Sequence, residues 1–157
     1  MKKILERTTE FLLTVIIIIM ISAVCWQVFA RYVLGNPSGI TEELMRYSLV
    51  WLTMIGGAYA YGKGKHVSFV FALRKLSDKT KAGVQFFVDL CVIFFAVIIM
   101  IYGGFITSNN AVGQISAALR MPIQFLYGSL VVSGILITFY AIFNISERIK
   151  SLKTRGN

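Results

Sequence analysis

The sequence predicts an all-α integral membrane protein with four membrane-spanning helices, and three observations support this fold class. Four long apolar runs fill just over half of the 157 residues: Phe11–Ala30, Leu44–Tyr61, Val84–Ile106 and Ile123–Phe143. The composition is 57% hydrophobic and 15% charged, whereas soluble domains carry about 25% charged residues. Thirteen of the 16 Lys and Arg residues lie before the first run, between the second and third, or after the fourth.

The lengths of the runs match the thickness of a bilayer. They hold 20, 18, 23 and 21 residues, and about 20 residues at ~1.5 Å rise cross a hydrocarbon core of ~30 Å. Backbone polar groups in lipid must find partners within their own segment, so each run is expected to be a helix in one membrane domain spanning 1–157.

The charge placement predicts the orientation. The net charge of +9 is compatible with nucleic-acid binding, but only Arg31, Arg46 and Arg120 lie outside the three basic clusters. The positive-inside rule therefore places both termini and the middle loop in the cytoplasm, and we expect no nucleic-acid partner. A cleaved signal peptide is the alternative at the N-terminus, but the first run is long and Glu6 and Glu10 dilute its basic head.

The connections carry clear local signals. The external turn 31–40 is rich in Gly, Asn, Pro and Ser, and Thr41 is the expected cap of the second helix. In the middle loop, the stretch His66–Leu76 predicts a short amphipathic helix in the membrane interface. Its lipid-contacting residues would be Lys65, Phe69, Leu73, Arg74 and Lys75. A plain basic loop is the alternative. Pro122 is expected in the first turn of the last helix.

The densest polar cluster lies at the external ends of the first two helices. It comprises Arg31, Tyr32, Glu42, Glu43, Arg46, Tyr47 and Trp51. One of the two acids can pair with Arg46 along the helix, and the turn could bring Arg31 to the other acid. We interpret the cluster as a structural clasp or partner contact. An interfacial anchor and cation binding remain alternatives.

Asp89 lies about two turns into the third helix among apolar residues. A membrane carboxylate usually faces a bundle interior, a cavity or a partner. We therefore expect either a buried contact between helices or a position close enough to the interface to reach water or Lys81.

The sequence gives no indication of enzyme chemistry. His66 is the only histidine, which disfavours bis-histidine haem, histidine metal centres and serine–histidine catalysis. Cys25 and Cys91 sit in different spans and form no ligand motif. We expect no catalytic residue, no bound metal and no cofactor. Gly and Ser residues on helices two to four favour close helix packing.

An ordered set of short motifs resembles the small membrane subunit, DctQ-like, of tripartite ATP-independent periplasmic (TRAP) transporters. The motifs are Phe29-Ala30-Arg31-Tyr32, Thr41-Glu42-Glu43-Leu44, Arg46-Tyr47, Val50-Trp51-Leu52, Gly56-Gly57-Ala58, Lys65-His66-Val67 and Leu119-Arg120-Met121-Pro122 with Tyr127-Gly128. The resemblance covers nearly the whole chain and implies a stand-alone rather than a fused subunit.

The resemblance also implies a role. Such a subunit pairs with a large membrane subunit, enlarges its fixed scaffold, and helps to dock a periplasmic binding protein during sodium-coupled uptake of an organic acid. The solute would be a dicarboxylate or a sugar acid such as sialic acid. Substrate and sodium residues would lie on the large partner. The alternative is a self-sufficient oligomeric transporter or channel in which Asp89 or the Glu42–Glu43 pair binds a cation.

Overall fold

The structure is a computed structural model that describes residues 2–36, 38–63 and 78–155. The helices are α1 (Lys2–Tyr32), α2 (Gly39–Gly62), α3 (Asp78–Phe95), a π-helical segment (Ala96–Gly103), α4 (Gly104–Asn110) and α5 (Gln124–Arg155). Because α3, the π-helical segment and α4 follow one another without a break, they form one rod. The described residues thus give four helical rods, three of which include a whole predicted apolar run, while the last includes all of its run except Ile123.

The helix starts differ slightly from the sequence expectation. Ser38, not Thr41, is the N-cap of α2, and its hydroxyl accepts a bond from the Thr41 N–H at 3.5 Å. The Thr41 hydroxyl donates instead to the Ser38 carbonyl at 2.9 Å and to the Gln27 side chain on α1. Similarly, Pro122 precedes α5, which begins at Gln124.

The π-helical segment is a feature that the sequence does not predict. Its eight residues carry two buried side chains, Ala96 and Met100. They lie against Gly134 of α5, where an added Cβ would stand 2.9 Å from the Met100 Cβ and 3.1 Å from the Ala96 carbonyl oxygen. The widened turn therefore lies where this rod packs closely against α5.

The rods pack in the spatial order α1, α2, α5 and the α3–α4 rod. Helix α5 contacts α2 and all three segments of the α3–α4 rod, while α2 contacts both α1 and α5. The most apolar stretch of α1 has 6% of its residues buried, against 28% for α5. Helix α5 is thus central and α1 peripheral.

One end of the bundle, which we name the terminal end, holds the N-terminus of α1 and the last part of α2. There Tyr61, Tyr140 and Ala141 form a small buried core. The Lys2 ammonium donates to Asn144 at 3.1 Å, and the Thr9 and Tyr140 hydroxyls are 3.3 Å apart. These contacts join α1 to α5. The opposite end, which carries Tyr32, Gly39 and the loop 111–123, is the loop end.

Three described helices are long and apolar enough to cross a membrane: Lys2–Tyr32, Gly83–Asn110 and Gln124–Ser146. Helix α2 is not among them because its first turns carry Glu42, Glu43 and Arg46, and its second half is rich in Gly and Tyr. The all-α class is confirmed, and the fourth span stays a prediction. The proposed interfacial helix, with Lys65, Phe69, Leu73, Arg74 and Lys75, lies outside the described residues.

Candidate partner-contact site at the loop end

The candidate site is formed where the first turns of α2 meet the end of α1 and the loop 111–123. This loop is a small closed turn. The backbone of Ile115 pairs with that of Pro122, the Ser116 N–H donates to the Met121 carbonyl at 2.9 Å, and the Ile123 N–H donates to the Gln114 carbonyl at 3.0 Å. These bonds fix the base of the loop and leave the N–H groups at its tip directed to α2.

The Glu43 side chain is the acceptor for the tip of this loop. Its carboxylate accepts bonds from the Ser116 hydroxyl at 2.9 Å and from the N–H groups of Ala117, Ala118 and Leu119 at 3.1, 3.0 and 2.6 Å. Bonds to an ionised carboxylate are stronger than those between neutral groups. We name this arrangement the Glu43 clamp; it ties α2 to the loop that leads into α5.

The clamp stabilises the charged form of Glu43, which precedes the apolar part of α2. The Leu119 N–H, then the Ser116 hydroxyl and the other two N–H groups, lower the pKa of the Glu43 carboxyl, although burial partly opposes them. The clamp therefore contributes stability that is fully present above the ordinary carboxyl pKa. This contribution is lost as the pH falls through the lowered pKa of the folded state.

The neighbouring acid has a different partner. Glu42 pairs with Arg46 one turn along the helix at 3.6 Å, and both side chains are mostly exposed. An exposed pair of this type contributes little to stability. The sequence expectation that one of the two acids bridges to Arg46 is confirmed, with Glu42 as the acid.

The expected contact of Arg31 with the second acid is wrong. Arg31 and Tyr32 are exposed at the end of α1, and within the described ranges neither Arg31 nor Tyr32 makes an ion pair or hydrogen bond with Glu42 or Glu43. The reason is that the loop before α5 supplies four donors to Glu43. The first two helices are joined at this end by Gln27 and Thr41 instead.

Tyr47 and Trp51 lie one turn apart on α2, and Trp51 packs against the start of α5. Tyr47 is buried, and the Trp51 ring packs on Phe125 with 5.1 Å between ring centroids. The Trp51 indole nitrogen is buried and has no acceptor in the described part of the chain. Of the predicted cluster, Tyr47, Trp51 and Glu43 are therefore turned inward, whereas Arg31, Tyr32, Glu42 and Arg46 are exposed.

Asp89 lies in α3, next to Tyr61 of the terminal end, and is not part of this site. It forms a buried contact between helices, which is one of the two possibilities expected from the sequence. Its side chain is 3% exposed, and the Tyr61 hydroxyl of α2 donates to it at 2.8 Å. The contact links α3 to the last turn of α2. It is therefore internal to the chain.

Sequence reasoning missed two groups. One is the Ser116–Leu119 tip, which lies more than 70 residues after its acceptor. The other is a trio at the terminal end, where the Lys63 ammonium donates to the Glu10 carboxylate at 2.7 Å and the Tyr59 hydroxyl also donates to it. The Glu10 bond raises the pKa of Lys63. An acid, Glu10, at the end of a basic N-terminal segment is the signal in the sequence for this contact.

The described residues contain no group of three or more His, Cys, Asp or Glu side chains placed to hold a metal ion. The geometry instead offers a fixed loop, exposed arginines and long apolar faces. Such features are suited to contact with another protein in a membrane rather than to chemistry on a substrate.

Comparison with known proteins finds similarity to one group of transporter subunits. The sequence model of a family described as "Tripartite ATP-independent periplasmic transporters, DctQ component" matches residues 20–151. A putative TRAP transporter small permease protein of Haemophilus influenzae is 27% identical over 134 residues, covering 85% of this chain and 83% of the relative. The sialic acid TRAP transporter small permease protein SiaQ of Vibrio cholerae is 24% identical over 152 residues, covering 97% of this chain and 87% of the relative.

A longer relative also matches. The sialic acid TRAP transporter permease protein SiaT of H. influenzae is 27% identical over 137 residues, which is 87% of this chain but only 22% of that relative.

Proposed function

The chain belongs to the DctQ family of TRAP transporters, and from that premise we propose that this small permease subunit braces the large transport subunit and helps to dock the periplasmic binding protein. The transporter would take up a carboxylate solute, a dicarboxylate or a sugar acid such as sialic acid, coupled to sodium. Two of the relatives carry sialic acid in their names. The subunit itself is not an enzyme.

The bracing role is supported by the hydrogen-bond partners of the buried polar side chains. Asp89 is bonded by Tyr61, the Ser133 hydroxyl donates to the Met54 carbonyl at 2.7 Å, and the Thr9 and Tyr140 hydroxyls pair at 3.3 Å. Each of these contacts joins two different helices, so they fasten the bundle together instead of lining a path for a solute.

The same reasoning disfavours the alternative of a self-sufficient cation transporter or channel. The Glu43 carboxylate already accepts four hydrogen bonds, and Asp89 is buried against Tyr61. A cation would have to compete with these contacts to bind Glu43 or Asp89.

The large partner is proposed from the longer relative. Since this chain matches only 22% of SiaT, most of that permease is additional sequence joined to a region like this chain. We propose that a large subunit equivalent to this additional part packs against the apolar outer faces of the bundle.

We further propose four spans in the bacterial inner membrane with both termini in the cytoplasm. Helix α2 is tied to α1 at both ends, by Thr41 with Gln27 and by Lys63 with Glu10. The two ties are about 26 Å apart along α1 at ~1.5 Å per residue, so α2 runs beside α1 over most of a bilayer. The basic clusters then all fall on the cytoplasmic side.

Reconstitution into liposomes tests the proposal. Purified alone, the subunit should give no sodium-driven uptake of radiolabelled sialic acid or succinate. It should co-purify with its large subunit in mild detergent, and the pair with the binding protein should transport one of these acids. Uptake by the subunit alone would support the channel alternative, and a failure to co-purify would contradict the bracing role.

A further inference from the structure

The loop 114–123, held by the Glu43 clamp, carries one side chain whose role the packing does not explain. Arg120 has a φ of 53°, in the left-handed region, and is the only described residue other than glycine with a positive φ. Gly and Asn enter this region more readily than arginine does. The side chain is exposed, and its guanidinium makes no hydrogen bond or ion pair with the described residues.

The backbone around Arg120 is fixed from three sides. The 115–122 pair and the Ser116–Met121 bond close the loop, and the Met121 N–H donates to the Ser116 hydroxyl at 3.3 Å. The clamp holds residues 117–119 on α2, and a Cβ on Gly39 would stand 3.6 Å from that of Ala118. Arg120 therefore projects from a rigid platform rather than from a free loop.

The charges of the loop end leave this guanidinium available. Among the described residues, the acids at this end are Glu42 and Glu43, and they are engaged by Arg46 and by the loop tip respectively. Arg120 and Arg31 are both exposed, and neither contacts an acid of the described chain. The loop end thus presents positive charge that no carboxylate of the described residues neutralises.

We propose that Arg120 is a docking residue that binds a surface carboxylate of the periplasmic binding protein. The inference rests on the proposed function, which supplies the soluble partner. A guanidinium matches a carboxylate in a bidentate geometry, and a fixed backbone lowers the ordering cost of such a contact. A lipid phosphate is the other anion within reach, but fluid headgroups adapt to any arginine position and do not need a strained, clamped one.

Arg120→Gly is the informative variant because glycine adopts this φ without strain, so the platform keeps its shape while the guanidinium is removed. Lys3→Glu is the matched control, since Lys3 is exposed at the terminal end of α1. Both variants are made in the assembled small and large subunits, in nanodiscs of phosphatidylcholine. Binding of the transporter's own binding protein is measured on a biosensor after co-purification of the two subunits has been checked.

We expect Arg120→Gly to weaken binding about tenfold, mainly in the association rate, with subunit assembly intact. Lys3→Glu should bind as the wild type does. Equal binding by Arg120→Gly and the wild type overturns the proposal, as does an equal loss in both variants, which would indicate diffuse charge attraction. A defect that appears only after phosphatidylglycerol is added assigns the guanidinium to lipid. Loss of co-purification in the wild-type complex contradicts the bracing role instead.

Discussion

At the scale of single residues, two adjacent acids show how position on a helix decides function. Consecutive residues on an α-helix point about 100° apart, so Glu42 and Glu43 face different neighbours. Glu42 reaches Arg46 on its own helix, whereas Glu43 reaches the tip of the loop before α5. The first contact is exposed and local. The second joins segments more than 70 residues apart and sets the shape of the loop end.

Replacing Glu43 by Gln should loosen the loop tip. Glutamine is nearly the same shape, but it lacks the charge and directs an NH₂ group at donors that need an acceptor. We expect the amides of residues 117–119 to exchange with solvent about tenfold faster, measured by hydrogen–deuterium exchange of the subunit in detergent. Glu42→Gln is the control, and equal protection in the wild type and Glu43→Gln would show that the clamp does not hold the loop.

The pH dependence of the clamp follows from the lowered pKa of Glu43. The carboxylate is ionised in both folded and unfolded chains above its ordinary pKa of 4.5, so the clamp is complete at neutral pH. Protection of residues 117–119, corrected for intrinsic exchange rates, should be constant from about pH 5 to 8 and fall only in stronger acid. Loss of protection near neutral pH would contradict this assignment.

For Trp51 we expect that one group can be removed at little cost, because its buried indole N–H opposes folding. Its ring packs on Phe125, but the buried indole N–H lacks an acceptor in the described structure, which costs about 1–3 kcal/mol. Trp51→Phe should therefore remain within about 1 kcal/mol of the wild type, while Trp51→Ala should lose at least about 2 kcal/mol. Thermal unfolding in detergent distinguishes these results. Equal losses of stability in the two variants would show that the indole N–H, rather than the packing of the ring, stabilises the fold.

At the scale of elements, α5 is the helix on which the bundle depends, and small residues permit its contacts. Ser133 lies close enough to α2 to donate to the Met54 carbonyl at 2.7 Å. Gly134 lies against the π-helical segment, and a Cβ on Gly104 would stand 3.1 Å from Leu130 and Val131 of α5. Lipid provides little hydrophobic drive between helices, so close packing and hydrogen bonds must hold them.

Adding one methyl group at Gly134 should separate α5 from the π-helical segment. A Cβ there would stand 2.9 Å from both Met100 and Ile101, and 3.1 Å from a backbone oxygen that cannot move aside easily. Overpacking of this type costs about 1–3 kcal/mol. Gly128→Ala on the same helix is the control, because its Cβ meets nothing within 4 Å. A similar unfolding temperature for both variants would contradict the packing assignment.

The helices could be predicted from sequence, whereas several of their details could not. Long apolar runs predict membrane helices by their length alone, and the positions of all four rods can be predicted in this way. After Asp89, the run Val84–Ile106 is apolar on every side, so its periodicity contains no sign of the π-helical segment. The sequence predicts the cluster around Glu43 and suggests Arg46 and Arg31 as partners of its two acids, because local spacing reports only neighbours along one helix or turn. The partner of Glu43 depends on the tertiary packing of α5.

At the scale of the whole molecule, the apolar surface is on the outside and most polar contacts between rods are at the two ends. Large side chains such as Phe11, Phe87, Phe94 and Ile99 are at least half exposed. Apart from the Ser133–Met54 bond between α5 and α2, the hydrogen bonds between rods lie near Tyr61 and Tyr140 at the terminal end and around Glu43 at the loop end. A bundle that is fastened at both ends and has an apolar outer surface is suited to packing beside another membrane protein.

The number of spans can be read from two positions at the loop end. Asn36 follows α1 and Gln114 lies in the loop before α5, and both are exposed. If α2 crosses the bilayer, both positions face the periplasm. If only the three most apolar rods cross, the chain crosses the membrane once, not twice, between these two positions. They then lie on opposite sides of the membrane.

Cysteine labelling in cells can decide between these topologies. Cys25 and Cys91 are first replaced by Ala, and single cysteines are then introduced as Asn36→Cys, Gln114→Cys or Lys3→Cys. We expect a maleimide that cannot cross the inner membrane to label positions 36 and 114 in intact cells. Position 3 should react only after permeabilisation, because its basic segment is retained in the cytoplasm. Labelling of 36 without 114 would show that α2 does not span, and the bracing bundle would then have three membrane helices.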